Sequence, residues 1–229
     1  MSSAIVIGAS GGIGGAVADT LDDEDQFDHV IRLSRSGSGE ADIDIEDEAS
    51  IAAAAARIDG EPSLVFVATG LLHDGERQPE KSIAELDSRW LARNFAVNTI
   101  GPALVAKHFL PLMPRSGRCV FAALSARVGS ISDDRIGGWY GYRASKAALN
   151  MMIRNLAIEQ KRKNDRSIIV ALHPGTVDTP LSEPFQRNVP AKQLFDRERA
   201  ALQLLDVIDG LKPADSGRIF AWDGAEIAP

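Results

Sequence analysis

Residues 3–23, SAIVIGASGGIGGAVADTLDD, constrain the fold more than any other stretch. The first part, SAIVIGA, is short and almost wholly apolar, the pattern of a strand covered on both faces. Glycines then crowd positions 8 to 15, and a helical pattern takes over. A strand–glycine turn–helix unit lets a pyrophosphate approach the backbone where the helix dipole favours negative charge. The turn fits two spacings, Gly8-Gly12-Gly14 and Gly8-Gly11-Gly14. Both read as dinucleotide binding, with Gly8, Ser10, Gly12, Ile13 and Gly14 as candidate contacts. A glycine-rich turn without a ligand is the competing reading.

The rest of the chain repeats the alternation. Strand-like runs fall at 29–34, 41–45, 63–70, 118–125, 167–173 and 217–222. Helical runs fall at 48–58, 142–160 and 197–209, with a long amphipathic segment at 88–113. Interleaving at this pace implies right-handed βαβ crossovers. The expected fold class is α/β: a Rossmann-like doubly wound parallel sheet of about seven strands with helices on both faces. Its ligand belongs at the carboxyl ends of the strands. A length of 229 residues, 45% hydrophobic, suffices for one large core, and no stretch reads as a linker, so a single domain over 1–229 is expected. The net charge of −7 argues against nucleic acid as a partner. No apolar run reaches the ~18 residues of a membrane helix, and the N-terminus lacks a signal-peptide pattern. The single cysteine, Cys119, rules out an internal disulfide and fits a reducing compartment. A cytoplasmic protein without membrane or metal partners is expected.

Cofactor choice turns on the end of the second strand, RLSRSG. An acidic residue there would bind the ribose 2′-hydroxyl of NAD and repel a 2′-phosphate. This chain has Ser34 and then Arg35, whose guanidinium can pair with a phosphate through two hydrogen bonds. NADP(H) is therefore preferred and NAD(H) is the alternative; a solvent-facing arginine would look the same in sequence. The segment GGWYGYRASKAALN (137–150) contains both tyrosines of the chain, and only Tyr142 has a lysine, Lys146, four residues on. In a helix these two share a face. A nearby ammonium favours the phenolate and moves a phenol from its ordinary pKa of about 10 toward the range useful for proton transfer.

These pieces, in order, resemble the short-chain dehydrogenase/reductase family: GASGGIG, DIEDEASI, FAVNTIGP, LSARVGS, YRASK and HPGTVDT. The resemblance is to the single-domain branch, and through LSARVGSISD, GGWYGYRASKAALN and DSGRIFAWDGAEI to its C-factor-like subgroup. It implies hydride transfer between NADP and a small aldehyde or ketone, or the corresponding alcohol. Tyr142 would be the acid/base, Lys146 would lower its pKa and bind the nicotinamide ribose, and Asn98 would hold a relay water. Asp44 and Ile45 match the adenine contacts; Pro174, Gly175, Val177 and Thr179 match the segment over the nicotinamide. The family's NNAG is VATG here, so only Gly70 carries over. Family members show Ser-x-x-Gly, whereas counting back from Gly129 lands on Ala126; Ser125 is still expected to polarise the carbonyl, with Ser130 as a distant substitute. His173 reads as a strand-end residue. The alternative is a catalytically weak or inactive cofactor-binding signalling or scaffold protein of C-factor type. A sugar-nucleotide epimerase shares Tyr-x-x-x-Lys but needs a larger C-terminal region. The resemblance also implies a homodimer or homotetramer through 88–113 and 142–160. The substrate pocket is expected from 180–195, with Leu181, Phe185 and Leu194, and a second wall from 71–81.

Overall fold

The computed structural model describes residues 2–36, 41–75 and 77–229. Its strands are β1 (Ser3–Ile7), β2 (His29–Leu33), β3 (Pro62–Val67), β4 (Cys119–Leu124), β5 (Ser167–His173), β6 (Thr176–Val177), β7 (Leu194–Phe195) and β8 (Ile219–Ala221). Six of them form one parallel sheet in the order β2-β1-β3-β4-β5-β8; β6 and β7 pair separately. The helices are α1 (Gly12–Asp23), α2 (Glu48–Ala56), α3 (Ser88–Phe95), α4 (Gly101–Phe109), α5 (Tyr140–Gln160) and α6 (Arg197–Gly210). The chain runs from β1 outward to β2, then returns to place β3 on the other side of β1. That reversal opens a crevice above β1 and β3, where ligands of such sheets bind.

Strand pleating sorts the core into two layers. Ile5, Ile7, Val65, Val67, Phe121 and Ala123 face one way, packed with Phe109 of α4 and Leu149 and Ile153 of α5. Val6, Phe66, Val120 and Ala122 face the other, against Val17 of α1 and Leu204 of α6. Both faces are dry, so the inner strands carry no polar alternation. This is why they read as unbroken apolar runs.

Two elements differ from the sequence reading. Residues 41–45 alternate apolar and acidic but make no strand; only an isolated bridge joins Ser34 to Asp42, so the main sheet has six strands rather than about seven. Ile43 and Ile45 are buried as the alternation requires. The acidic residues, however, bond locally. Asp44 accepts from the Glu46 N–H, and Asp47 caps α2 through the Ala49 N–H, which turns the chain away from β2. The 88–113 segment is one helical run interrupted by a wide π turn at Ala96–Ile100, where the Gly101 N–H reaches Ala96 O. Pro102 explains the interruption: lacking an N–H, it cannot donate to the Asn98 carbonyl one turn back.

Gly14 sets how closely α1 approaches β1. A Cβ there would fall on the Gly8 carbonyl and lie 3.0 Å from Ala68 Cβ. Overpacking of this kind costs about 1–3 kcal/mol. Gly14→Ala is therefore expected to lower the Tm by about 2–10 °C in thermal unfolding; an unchanged Tm would show that α1 moves away freely.

Candidate active site

The glycine turn opens onto a cavity of about 320 Å³ at the crevice above β1 and β3. Gly8, Ser10 and Gly11 line its floor, Ser34, Arg35, Asp44 and Ile45 its outer end, and Gly70 its inner end. Gly12, Ile13 and Gly14 begin α1 beside it; Gly12 packs under Thr179 and Arg197. No side chain caps α1. Its N-terminus, the backbone left bare by glycines and the buried Thr69 hydroxyl, which has no hydrogen-bond partner among the described residues, together fit a pyrophosphate and its ribose. Sequence reading missed Glu46 and Arg93, which share the outer end. Glu46 lies 3.9 Å from Arg35 and 3.4 Å from Arg93, so two cations flank one carboxylate there. Arg93 belongs to no quoted motif; only the chain's path brings α3 under residue 46.

A second cavity, also about 320 Å³, has Tyr142 and Ser125 in its wall. A Cβ on Gly70 would stand 3.7 Å from Asn98 Oδ1, 3.8 Å from Lys146 Nζ and 4.0 Å from Leu181. The π turn aims Asn98 inward, where its amide grips Leu71 twice: Oδ1 accepts from Leu71 N and Nδ2 donates to Leu71 O, each at 2.8 Å. Asn98 Nδ2 also reaches Ser145 Oγ at 3.1 Å, tying the turn to α5. Pro174, Gly175, Val177 and Thr179 line the far side of this second cavity. Leu181 and Phe185 join its wall as expected, but Leu194 does not, because it pairs with Thr176 in the small sheet.

Tyr142 and Lys146 lie one turn apart on α5, both buried, at 8% and 2% exposure. The amine stands 5.9 Å from the phenol ring centre and donates to Leu124 O at 2.8 Å. Burial dominates the electrostatics of both groups. It pushes the Tyr142 phenol up to about 12 and the Lys146 amine down to about 7. The lysine therefore does not pull the phenol down in this state, contrary to the sequence expectation, and Tyr142 is a protonated donor at neutral pH. His173, beside this cavity, is pushed down to about 4 by burial and stays neutral.

Ser125 lines the second cavity together with Ala126 and Tyr142, and its hydroxyl donates to Asn150 Oδ1 at 2.7 Å. Ala126 packs against Tyr142, in a wall made with Leu72, Val128, Trp139 and Phe185. Ser130 is buried and bonds the Asp133 N–H, away from this wall. Trp139 was missed. Its ring meets Tyr142 at 6.3 Å and Phe185 at 4.9 Å. A larger cavity of about 610 Å³, lined by Asp206, Asp215 and Trp222, lies between α6 and β8 and contains none of these residues.

A lysine ordinarily titrates near 10.5, and Lys146 near 7. Between those values the unfolded chain holds a proton that the folded chain lacks, so this site's contribution to stability rises as the pH rises from about 7 to about 10. Lys146→Met removes that dependence. Its Tm relative to the unaltered protein is expected to be highest near pH 7 and to decline toward pH 10; a difference constant across this window would contradict the burial account.

A family model described as "Enoyl-(Acyl carrier protein) reductase" matches residues 8–205. The Myxococcus xanthus protein C-signal is 36% identical over 146 residues, 64% of this chain and 82% of that one. A Rhodococcus 1-hydroxy-2-glutathionyl-2-methyl-3-butene dehydrogenase is 30% identical, with 98% of each chain covered. Among solved structures, NADPH-bound carbonyl reductase from chicken fatty liver superposes with a TM-score of 0.84 at 24% identity, covering 99% of this chain and 94% of that one. The Drosophila melanogaster carbonyl reductase Sniffer gives 0.80 at 22%, with both chains fully covered. At these identities the structures speak for the fold. The family match spans most of the chain and includes the glycine turn and the Tyr142–Lys146 helix: this protein belongs to the short-chain dehydrogenase/reductase family of oxidoreductases.

Proposed function

We propose that this protein is an NADP(H)-dependent reductase of a small aldehyde or ketone, with Tyr142 as the proton donor. One observation carries the reading: on Gly70, in the wall of the cavity at the glycine turn, a Cβ would stand 3.8 Å from the buried Lys146 amine and 4.0 Å from Leu181, which lines a mostly apolar cavity with the protonated Tyr142 phenol. The glycine turn would hold the pyrophosphate, Asp44 and Ile45 the adenine, and Ser34 and Arg35 the 2′-phosphate. Arg35 is 72% exposed at the outer end, free to swing from Glu46 to a more highly charged partner. Pro174, Gly175, Val177 and Thr179 would cover the nicotinamide.

NADPH, when bound, would supply a hydride to the carbonyl carbon. Tyr142 Oη gives its proton to the carbonyl oxygen, so an alcohol leaves with both hydrogens and a phenolate remains. A phenolate in this dry pocket is costly. Lys146 stabilises it in its ammonium form, and reprotonation runs past Lys146 toward Asn98. The raised phenol pKa keeps Tyr142 protonated at neutral pH, so it holds the proton that the reductive direction requires. The NADP-bound relatives in fold point the same way for the cofactor.

A second reading keeps the cofactor and drops the turnover. The Ser125 hydroxyl lines the mostly apolar cavity but donates to Asn150 Oδ1, so it would have to leave that partner to polarise a carbonyl. Loss of one oxyanion donor costs roughly 100–1000-fold in comparable sites. This engagement and the identity with C-signal favour a slow or silent dinucleotide-binding protein.

Tyr142→Phe is expected to reduce NADPH-dependent carbonyl reduction by at least about 100-fold while NADPH affinity, from fluorescence titration, stays within about twofold. Equal turnover would remove the donor role, and no turnover by the unaltered protein across aldehydes, ketones and quinones would favour the second reading. Arg35→Asp is expected to weaken NADPH far more than NADH; an unchanged ratio would contradict the phosphate role.

A further inference from the structure

The residues just before Tyr142 have an unusual backbone. Gly137, Gly138 and Trp139 all take left-handed conformations, at φ 69°, 68° and 51°. Two glycines do so freely; a tryptophan does so only where its surroundings hold it. The holding groups come from Glu80, remote in sequence and 1% exposed. Its main-chain carbonyl accepts from the Trp139 N–H, and its carboxylate Oε2 accepts from the Gly141 N–H at 3.2 Å. The other oxygen, Oε1, is buried and has no hydrogen-bond partner among the described residues. It sits at the positive end of α5, over Gly141, where an added Cβ would meet Oε1 at 3.0 Å and Asn94 Nδ2 at 3.3 Å.

A buried carboxylate with one oxygen unpartnered is a poor way to stabilise a fold. It is an effective way to fix one backbone geometry, because both ends of the glutamate grip consecutive turns of the same strained segment. We propose that Glu80 is a positioning residue of the active site: it clamps the left-handed Gly137–Trp139 turn to the first turn of α5, so that Trp139 stands as a substrate-facing wall beside Tyr142. The resulting aromatic corner of Trp139, Phe185 and Tyr142 favours carbonyl compounds with a flat apolar body. The substrate preference rests on the reductase reading above; the clamp does not.

The test therefore has an arm without turnover. The near-ultraviolet circular dichroism band that disappears in Trp139→Phe identifies the Trp139 environment. Glu80→Ala is expected to lose the same band and raise KM for 4-nitrobenzaldehyde about tenfold, with NADPH affinity within about twofold. Glu80→Gln keeps an acceptor for the Gly141 N–H and is expected to retain the band and most of the KM. Gly141→Ala, which displaces the carboxylate without removing it, is expected to copy Glu80→Ala and serves if that variant fails to fold. Retention of the band in Glu80→Ala and Gly141→Ala, failure of Glu80→Gln to rescue, or a KM rise matched by an equal loss of NADPH affinity would overturn the clamp. Absence of turnover in the unaltered protein would defeat the reductase reading alone, and the dichroism would still decide the clamp.

Discussion

The 2.8 Å hydrogen bond from Lys146 Nζ to the Leu124 carbonyl joins α5, which carries Tyr142, to the end of β4 and so to the sheet. An amine has little reason to enter a dry interior on its own account. It is carried there by α5, whose Leu149, Ile153 and Ala157 are buried under the strands. Burial of these apolar side chains offsets the cost of the lysine; full burial of one such large side chain contributes about 1.5–3 kcal/mol. The helix cannot shift to release the lysine without withdrawing its apolar face. Gly129 tightens the arrangement, since a Cβ there would lie 2.8 Å from Lys146 Cβ.

The same burial sets the state in which the site waits. A phenol pushed up to about 12 is neutral at pH 7, and an amine brought down to about 7 sits near the middle of its titration there. The phenol cannot ionise cheaply in this pocket without a cation beside it. In the proposed reaction Lys146 in its ammonium form would be that cation. The pair is thus poised by desolvation, and an oxidised nicotinamide, when bound, would add a further positive charge. The lysine-lowers-tyrosine expectation counted only the charge interaction; the structure adds the solvent term, which outweighs it in the cofactor-free state.

Much of the fold was legible because its inner strands are buried on both faces and carry no polar punctuation; 167–173 was read to the residue as β5. The glycine turn was legible through backbone geometry, which Gly8 and Gly14 show directly. Residues 41–45 misled because alternation reports which side chains are buried, and Ile43 and Ile45 are buried without a neighbouring strand. At Ser125 the spacing pointed to Ala126, and the fold brings both residues into the cavity that contains Tyr142. Glu80 and Trp139 were out of reach: Trp139 stands inside GGWYGYRASKAALN without a chemistry that singles it out, and its partnership with Glu80 spans a sequence separation that only the folded chain closes. Gly137 and Gly138 were the one available signal, a paired glycine just ahead of the key helix. Substrate identity depends on the walls of a mostly apolar cavity, which sequence places only by loop.

Tyrosine carbon-13 NMR tests the central claim most directly, since the chain contains two tyrosines and Tyr140→Phe leaves Tyr142 alone to report. The ring Cζ shift would be followed against pH, first without cofactor and then with saturating NADP⁺. The account predicts a phenol that stays protonated without cofactor until the pH nears 12 and titrates markedly lower with NADP⁺ bound. A phenol that already ionises near neutral pH without cofactor, or one whose titration NADP⁺ leaves unmoved, would contradict it.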